Sequence, residues 1–446
     1  MVIDEFNLKK IIDARFIKKL ANIYIDKELN RTELLSQATS LLAKNEYMPS
    51  NPEFVIDVNK GKGVMRYVPA FTPLDYVIYF YCVLSIDDHL AKTRVEGTFG
   101  GYSMGGALRK AETVESNSPE PPSPNSNTFN PYAYIQHYGE YNAEIKKRLL
   151  EDDDCNIIEL DIANFYDHIR LDLLENLIRQ AVDSSEEPQI NLLFHFLKNW
   201  NKLINSYRPQ SVGLPQELVG DCSRILANFY LQEYDHAIKT YCDAHGIKYL
   251  RYADDQIFFV PRIYDTRKVV RRASIELSKL GLNINPKKVV VWKDKETFTK
   301  YKAFDLFETL PHDVLYPKDH TITTANAFAE LFISSDRSVI VKGGAPIIKT
   351  IISIGINKLD RANRTKIKNL IYNQYLSTLS EKHIEKLLKA LSKGERKTFL
   401  SRLDKELTKH IHNSQKHEVY KAVRQLNIRR FNKYKKDILD NDWTKL

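Results

Sequence analysis

Residues 248–259, KYLRYADDQIFF, carry two carboxylates side by side, Asp254 and Asp255, between two runs of aromatic and branched residues. Tyr249, Leu250 and Tyr252 precede the pair and Ile257, Phe258, Phe259 and Val260 follow it, which predicts two short strands around a polar hairpin tip. Adjacent like charges repel, and an acidic surface turn rich in Asx hydrogen bonds is one account of them. A second account is chemical. A hard divalent cation such as Mg²⁺ takes oxygen ligands, and its charge removes the repulsion. Such a site needs a further ligand, and Asp161, at the end of the apolar run NIIELDI, is a candidate. Asp167 lies in the polar turn that follows, where a helix N-cap is the expected role.

These carboxylates need a sheet to bring them together. NIIELDI reads as a compact buried strand, followed by the helical RLDLLENLIRQAV. SRILANFYLQEYDHAIKTYCDAHG predicts one long helix stopped near Gly246. After the hairpin, SIELSKLGLNINPKKVVVW predicts a helix, a Gly-containing turn and a strand. This order is α+β, with the strands gathered into one sheet. Upstream, residues 1–48 read as helical, with Ile11, Ile12, Phe16, Ile17 and Leu20 at helical spacing, and 54–112 as short strand-like and helical pieces: EFVIDV, RYVPAFTP, DYVIYFYCVL and the glycine-rich GTFGGYSMGGALRK. Residues 113–131 are rich in Pro, Ser and Asn without periodicity, as in a loop or linker. Beyond 360 the pattern is helical: Ile384, Leu387, Leu388 and Leu391 share one face, and Val419, Ala422, Val423 and Leu426 share another.

With 446 residues the chain is long enough for two or three packed units. Its net charge of +9 is unevenly spread: residues 341–446 hold 25 Lys and Arg against 10 Asp and Glu, while the remainder is slightly acidic. A basic segment on a mildly acidic body suits a polyanionic partner such as nucleic acid, although a solvated helical surface has the same composition. Cys82, Cys155, Cys222 and Cys242 form no zinc-spaced pair, as expected of reduced thiols in the cytoplasm. No apolar run is long enough to span a bilayer, so no membrane partner is expected.

Four stretches together resemble the reverse transcriptases. LDIANFYDHI is similar to their motif A, GLPQELVGDCSRILANFYL (213–231) to motif B, YADD (252–255) to motif C and LGLNINPKK (280–288) to motif D, in the family's order and spacing. MRYVPAFTPLDYVIY and TFGGYSMGGALR resemble the fingers motifs. The resemblance implies Mg²⁺-dependent addition of dNTPs to a 3′-hydroxyl by two ions about 3.5–4 Å apart, with Mn²⁺ as a substitute. It further implies that Asp161 and Asp254 bridge the metals, that the Ile162 carbonyl completes one shell and that Asp255 supports the site. Tyr166, five residues after Asp161, matches the aromatic gate that excludes a ribose 2′-hydroxyl. Gln216 would lie near the nucleotide or template, Ser223 and Asn228 would shape the pocket, Lys288 rather than Lys287 would assist the leaving pyrophosphate, and Arg66 would bind the triphosphate. Glu217 departs from the pattern, since most relatives carry Gly after the Gln.

SRILAN resembles the bacterial defence-associated and abortive-infection enzymes; group II intron enzymes favour SP there, and retron enzymes carry a VTG element after motif D. The expected architecture is a right-hand polymerase: an N-terminal helical segment (1–49), fingers (50–130), palm (131–310) and a basic, all-α, thumb-like C-terminal domain (311–446). Arg424, Arg429 and Arg430 are its candidate nucleic-acid contacts. Expected partners are a non-coding RNA template, a DNA product or both, with a second copy or another protein also compatible. The implied biology is antiphage DNA synthesis, either RNA-templated or untemplated from a protein hydroxyl; the alternative is a group II intron-type or retron-type enzyme of a mobile element.

Overall fold

The computed structural model describes residues 8, 17, 20–21, 23–24, 28–61, 64–100, 133–151, 154–201, 213–216, 222–302, 304, 322–334, 344–409, 413–426 and 428–439. The described residues of 1–55 and 68–293 form one compact unit, and those of 56–67 and 294–441 form another. The Pro/Ser-rich stretch 113–131, Glu217, most of the glycine-rich GTFGGYSMGGALRK and most of residues 1–27 lie outside the described residues.

Local signals explain the first elements. Asn30 opens α1 (Arg31–Lys44) by accepting the Thr32 and Glu33 N–H groups, and Asn45 closes it in a left-handed conformation. β1 (Phe54–Gly61) and β2 (Val64–Ala70) form a two-stranded sheet. α2 (Pro73–Ala91) starts at Thr72, whose hydroxyl accepts the Asp75 N–H, with Pro73 at the first helical position. The stretch DYVIYFYCVL within α2 has strand-like residues, yet it is helical because it is buried on every side, with Tyr76 to Val83 at most 1% exposed.

The remaining elements of the first unit are β3 (Thr98–Phe99), α3 (Ala133–Glu151), β4 (Cys155–Asp161), α4 (Phe165–His168), α5 (Leu171–Ala181), α6 (Glu187–Asn199), α7 (Cys222–Tyr230), α8 (Gln232–Ala244), β5 (Lys248–Tyr252), β6 (Asp255–Pro261), α9 (Thr266–Lys279) and β7 (Val290–Trp292). Five strands make one mixed sheet in the order β3-β5-β6-β4-β7, in which β3 runs parallel to β5 and every other pair is antiparallel. α2 packs on α6 and α7, and Phe196 of α6 stacks within 4.8 Å of Tyr79 and 5.2 Å of Phe71. The single long helix expected across 223–246 is two helices broken at Leu231, after which Gln232 and Asp235 are turned inward and buried. Its end falls as expected: Gly246 takes a φ of 66° and the Ile247 N–H reaches back to the Cys242 carbonyl at 2.8 Å.

In the second unit the described α-helices after β7 are α10 (Lys295–Lys302), α11 (Ile322–Ser334), α12 (Gly344–Ile354), α13 (Arg361–Leu370), α14 (Glu381–Ala390), α15 (Lys393–Leu407), α16 (Asn413–Gln425) and α17 (Tyr434–Leu439). Ile384, Leu387, Leu388, Leu391, Val419, Ala422 and Val423 enter one apolar core with Phe328, Phe332 and the isoleucines of α12. Ser392 and Glu395 close a capping box at the start of α15. This unit is not purely helical, because the distal part of the β1–β2 hairpin, 56–67, belongs to it. Asp57 and Asn413 join the two segments: the Asp57 N–H donates to Asn413 Oδ1 at 2.9 Å and the Asn413 N–H to Asp57 Oδ1 at 2.6 Å. The two units divide at 293/294, and residues 56–67 fall with the later segment. No helix among the described residues is long and apolar enough to cross a membrane.

Candidate active site

Register brings the first two carboxylates together. In the β4–β6 ladder Asp161 is the direct partner of Asp255, and in the β5–β6 ladder Tyr252 is the partner of Asp255. Directly opposed residues share a face, so Asp161, Asp255 and Tyr252 lie on one side of the sheet, and Leu160, Gln256 and Arg251 lie on the other. Asp161 is 6% exposed, whereas Asp254 is half-buried and Asp255 exposed. The turn itself is Ala253–Asp254, with Asp255 already the first residue of β6, one residue away from the expected Asp254–Asp255 tip. Ala253 has a φ of 52°, a left-handed conformation that strains a residue with a Cβ.

The segment after α9 completes the site. The Ala163 N–H donates to the Asn283 carbonyl and the Asn285 N–H to the Asp161 carbonyl, both at 2.8 Å, on either side of an isolated Ile162–Ile284 bridge. Because the flanking residues make those bonds, the Ile162 carbonyl is not engaged by this segment. Asn285 also donates from Nδ2 to Asp161 Oδ2 at 3.3 Å, and its Oδ1 accepts the Lys287 N–H as Pro286–Lys288 forms a 3₁₀ turn. That turn delivers Lys288, whose ammonium lies 2.5 Å from Asp161 Oδ1. Partial burial opposes the Lys288 charge, but the hydrogen bond to Asp161 and the fields of Asp161, Asp254 and Asp255 outweigh it and raise its pKa.

One ammonium is thus under the influence of all three carboxylates. Among the described residues no three His, Cys, Asp or Glu side chains are drawn close enough to hold an ion as they stand. The donor chemistry nevertheless fits a hard cation: the Asp161 and Asp255 carboxylates paired across strands, Asp254 in the adjoining turn and the Ile162 carbonyl, with the Lys288 ammonium bonded to Asp161.

Tyr166 lies in α4, half-buried against Phe165 with ring centroids 5.4 Å apart, and its carbonyl accepts the Leu214 N–H at 2.8 Å. The Gly213 N–H donates to the Ile169 carbonyl at 2.7 Å, so the chain leading to Gln216 is fastened to the segment that carries Tyr166. Gln216 is half-buried two residues beyond. Ser223 and Asn228 lie buried on α7, Ser223 within 2.8 Å of the Tyr79 hydroxyl. Asp167 is not an N-cap; it sits within α4, and the residues preceding α4 and α5 are Asn164 and Arg170. Arg66 is exposed on β2 and belongs to the second unit. Arg424 and Arg429 are exposed, whereas the Arg430 guanidinium is engaged by Asp404 at 2.8 Å.

Three sets of residues escaped the sequence reading. Asn285 was visible only as part of NINPKK. Tyr138 and Tyr141 of α3 stack on Tyr252, with centroids 5.2 and 5.7 Å away; Tyr141 is buried, and burial followed by the fields of Asp255 and Glu159 raises its pKa. Arg251 and Asp235 form a fully buried ion pair beneath the hairpin. An arginine between the apolar Leu250 and the aromatic Tyr252 of KYLRY was the available signal for that pair, because a buried guanidinium requires a carboxylate.

The family model described as Reverse transcriptase (RNA-dependent DNA polymerase) matches residues 106–328, half of the chain. The chain belongs to the reverse transcriptase family. The reverse transcriptase match contains Asp161, Tyr166, Gln216, Asp254, Asp255 and Lys288, and leaves Arg66, Arg424, Arg429 and Arg430 outside. Among curated proteins, Retron Ec83 reverse transcriptase of Escherichia coli is 36% identical over 105 residues, which cover 23% of this chain and 31% of that one. The match thus spans about a third of the curated relative. Among solved structures, telomerase from Candida tropicalis in complex with the TWJ fragment of telomeric RNA is similar over 84% of this chain and 68% of that chain, at 14% identity and a TM-score of 0.32.

Proposed function

We propose that this chain is an RNA-directed DNA polymerase that adds dNTPs to a 3′-hydroxyl at the Asp161, Asp254 and Asp255 carboxylates. The observation that carries this is the cross-strand pairing of the Asp161 and Asp255 carboxylates, with Asp254 in the adjoining turn and the Lys288 ammonium bonded to Asp161, in a chain of the reverse transcriptase family. Asp161, Asp254 and the Ile162 carbonyl would hold two Mg²⁺ ions, with Asp255 in support. When bound, the ions supply acidification of the 3′-hydroxyl and neutralisation of the triphosphate. Asp161 keeps its register through β4 and the Asn285 contacts, which fix where its carboxylate is presented. Lys288, held cationic, is placed to balance negative charge on the departing pyrophosphate and to deliver a proton to it. Tyr166 stands beneath the sugar as a barrier to a 2′-hydroxyl.

The template is proposed to be a dedicated non-coding RNA. The retron relative supports a retron-type enzyme, and the absence of the VTG element leaves the defence-associated group as the other assignment within the same chemistry. Antiphage synthesis of a particular DNA is the biology that suits both. The test is extension of a primed RNA template by the purified protein with dNTPs and Mg²⁺, alongside sequencing of the nucleic acid that copurifies. Templated, dNTP-specific extension lost in Asp254→Asn is expected. Equal activity in Asp254→Asn would overturn the site, and products unrelated to any copurifying RNA would overturn the templated reading.

A further inference from the structure

The far face of the sheet, opposite Asp161 and Asp255, carries a buried polar assembly that polymerisation chemistry does not itself require. Arg251 is 0% exposed and lies in β5 directly before the YADD turn. Its Nε donates to Asp235 Oδ1 at 2.8 Å and its Nη2 to Asp235 Oδ2 at 2.5 Å, a two-point pair that fixes the plane of the guanidinium. Tyr249 donates to Asp235 Oδ1 at 2.8 Å, which holds the carboxylate from the same strand face. The remaining arm of the guanidinium does something else. Nη1 donates to Asn228 Oδ1 at 2.7 Å and to the Ala253 carbonyl at 2.9 Å. Four of the five N–H donors are accounted for, two spent on the anchor and two on the working parts.

Both recipients matter to the site. Ala253 is the strained residue of the turn, with its φ of 52°, and its carbonyl leads into the peptide bond that places Asp254. A non-glycine residue keeps such a conformation only where its surroundings enforce it. Asn228 lies on α7, in the stretch similar to motif B; with its oxygen taken by Arg251, its amide nitrogen is turned the other way, toward Gly100, where an added Cβ would come within 2.8 Å of it. The close fit there needs a glycine, and Gly100 has a φ of 123°.

We infer that Arg251 is a positioning residue for the catalytic turn: braced by Asp235, it enforces the left-handed Ala253 that aims Asp254 and locks the Asn228 amide to the same guanidinium. The inference rests on the proposed reaction for its kinetic consequence, though not for its structural one. A purely structural Arg251–Asp235 pair would affect folding alone. The positioning role makes metal binding and the chemical step depend on the Nη1 arm specifically.

Arg251→Lys tests this, because an ammonium keeps the charge opposite Asp235 but cannot also span to Asn228 and Ala253 in a guanidinium's plane. Mn²⁺ affinity is read by electron paramagnetic resonance on the full chain, with Asp254→Asn as the blank, and single-dNTP addition is followed under single-turnover conditions. Arg251→Lys is expected to weaken Mn²⁺ binding and slow the chemical step by about ten- to a hundredfold. The double variant Arg251→Lys/Ala253→Gly is expected to recover part of both losses, since glycine adopts the positive φ without enforcement. Parent-like Mn²⁺ affinity and rate in folded Arg251→Lys overturn the inference, as does a double variant that recovers neither. A parent protein that binds Mn²⁺ yet adds no nucleotide sinks the proposed function alone, leaving the Mn²⁺ arm to decide on Arg251.

Discussion

Asp161 and Asp255 are direct cross-strand partners at the last pair of the β4–β6 register, two carboxylates on one face with the Lys288 ammonium bonded to the buried one. Like charges opposed across a ladder destabilise it. The arrangement is therefore in tension when no cation is bound.

Removing one charge should separate stability from function. Without divalent ions, Asp255→Asn is expected to unfold at a slightly higher temperature than the parent, by about 0.2–1 kcal/mol of stability. Asp254→Asn should cut dNTP incorporation by on the order of a hundredfold or more, with Asp255→Asn milder. Calorimetry with and without Mg²⁺, beside extension assays, checks both; a Mg²⁺-induced rise in unfolding temperature that survives in Asp254→Asn would contradict the metal assignment.

The Tyr166 carbonyl accepts the Leu214 N–H, and its ring packs on Phe165. Tyr166→Val is expected to admit ribonucleotides, raising rNTP relative to dNTP incorporation by roughly tenfold or more. An unchanged ratio in single-nucleotide competition would make Tyr166 a packing residue only.

Lys288→Ala should slow the chemical step by about a hundredfold with little change in dNTP binding, because the charge it serves grows as pyrophosphate leaves. Pre-steady-state rates at saturating dNTP give the answer. A loss confined to nucleotide affinity would rule out the leaving-group role.

The basic surface of the second unit calls for two different substitutions. Arg424→Glu with Arg429→Glu is expected to flatten the salt dependence of nucleic-acid binding and shorten products while single-nucleotide addition persists. Arg430 is another matter. Burial opposes the charge of Asp404, but hydrogen bonds from Lys433, Tyr434 and Arg430 hold its pKa down to about 2. A depressed carboxylate pKa adds stability above the ordinary value of 3.8 that is lost as pH falls toward 2. Arg430→Glu should therefore lower the unfolding temperature at neutral pH, and that deficit should shrink between pH 4 and pH 2. A salt slope unaltered in the Arg424/Arg429 pair would mark the face as ordinary solvated surface.

The readable parts of this chain were those where local pattern and final environment agree. NIIELDI was legible as a strand because Ile157, Ile158, Leu160 and Ile162 crowd into a run too short for a helix, and Gly246 as a stop because a left-handed residue ends a helix. The carboxylates were legible from type and spacing. DYVIYFYCVL was ambiguous for the opposite reason, since total burial erases helical periodicity, and only Thr72 and Pro73 mark the element as a helix. Arg251 and Asp235 are joined by tertiary structure, from a strand and a helix whose own patterns do not refer to each other. The turn slipped by one residue because Ala253, not an Asn or Gly, takes the positive φ.

The Asp57–Asn413 exchange has a consequence for how the protein is made. The two residues are 356 positions apart, and at ribosomal speeds of about 5–20 residues per second the first waits roughly 20–70 s for the second. Until Asn413 emerges, the distal hairpin lacks its hydrogen-bonding partner and is open to chaperones or to another chain's exposed strand edge. A fragment begun at residue 294 would leave Asn413 without Asp57, and cutting the chain there yields two pieces that must find each other rather than two self-sufficient modules.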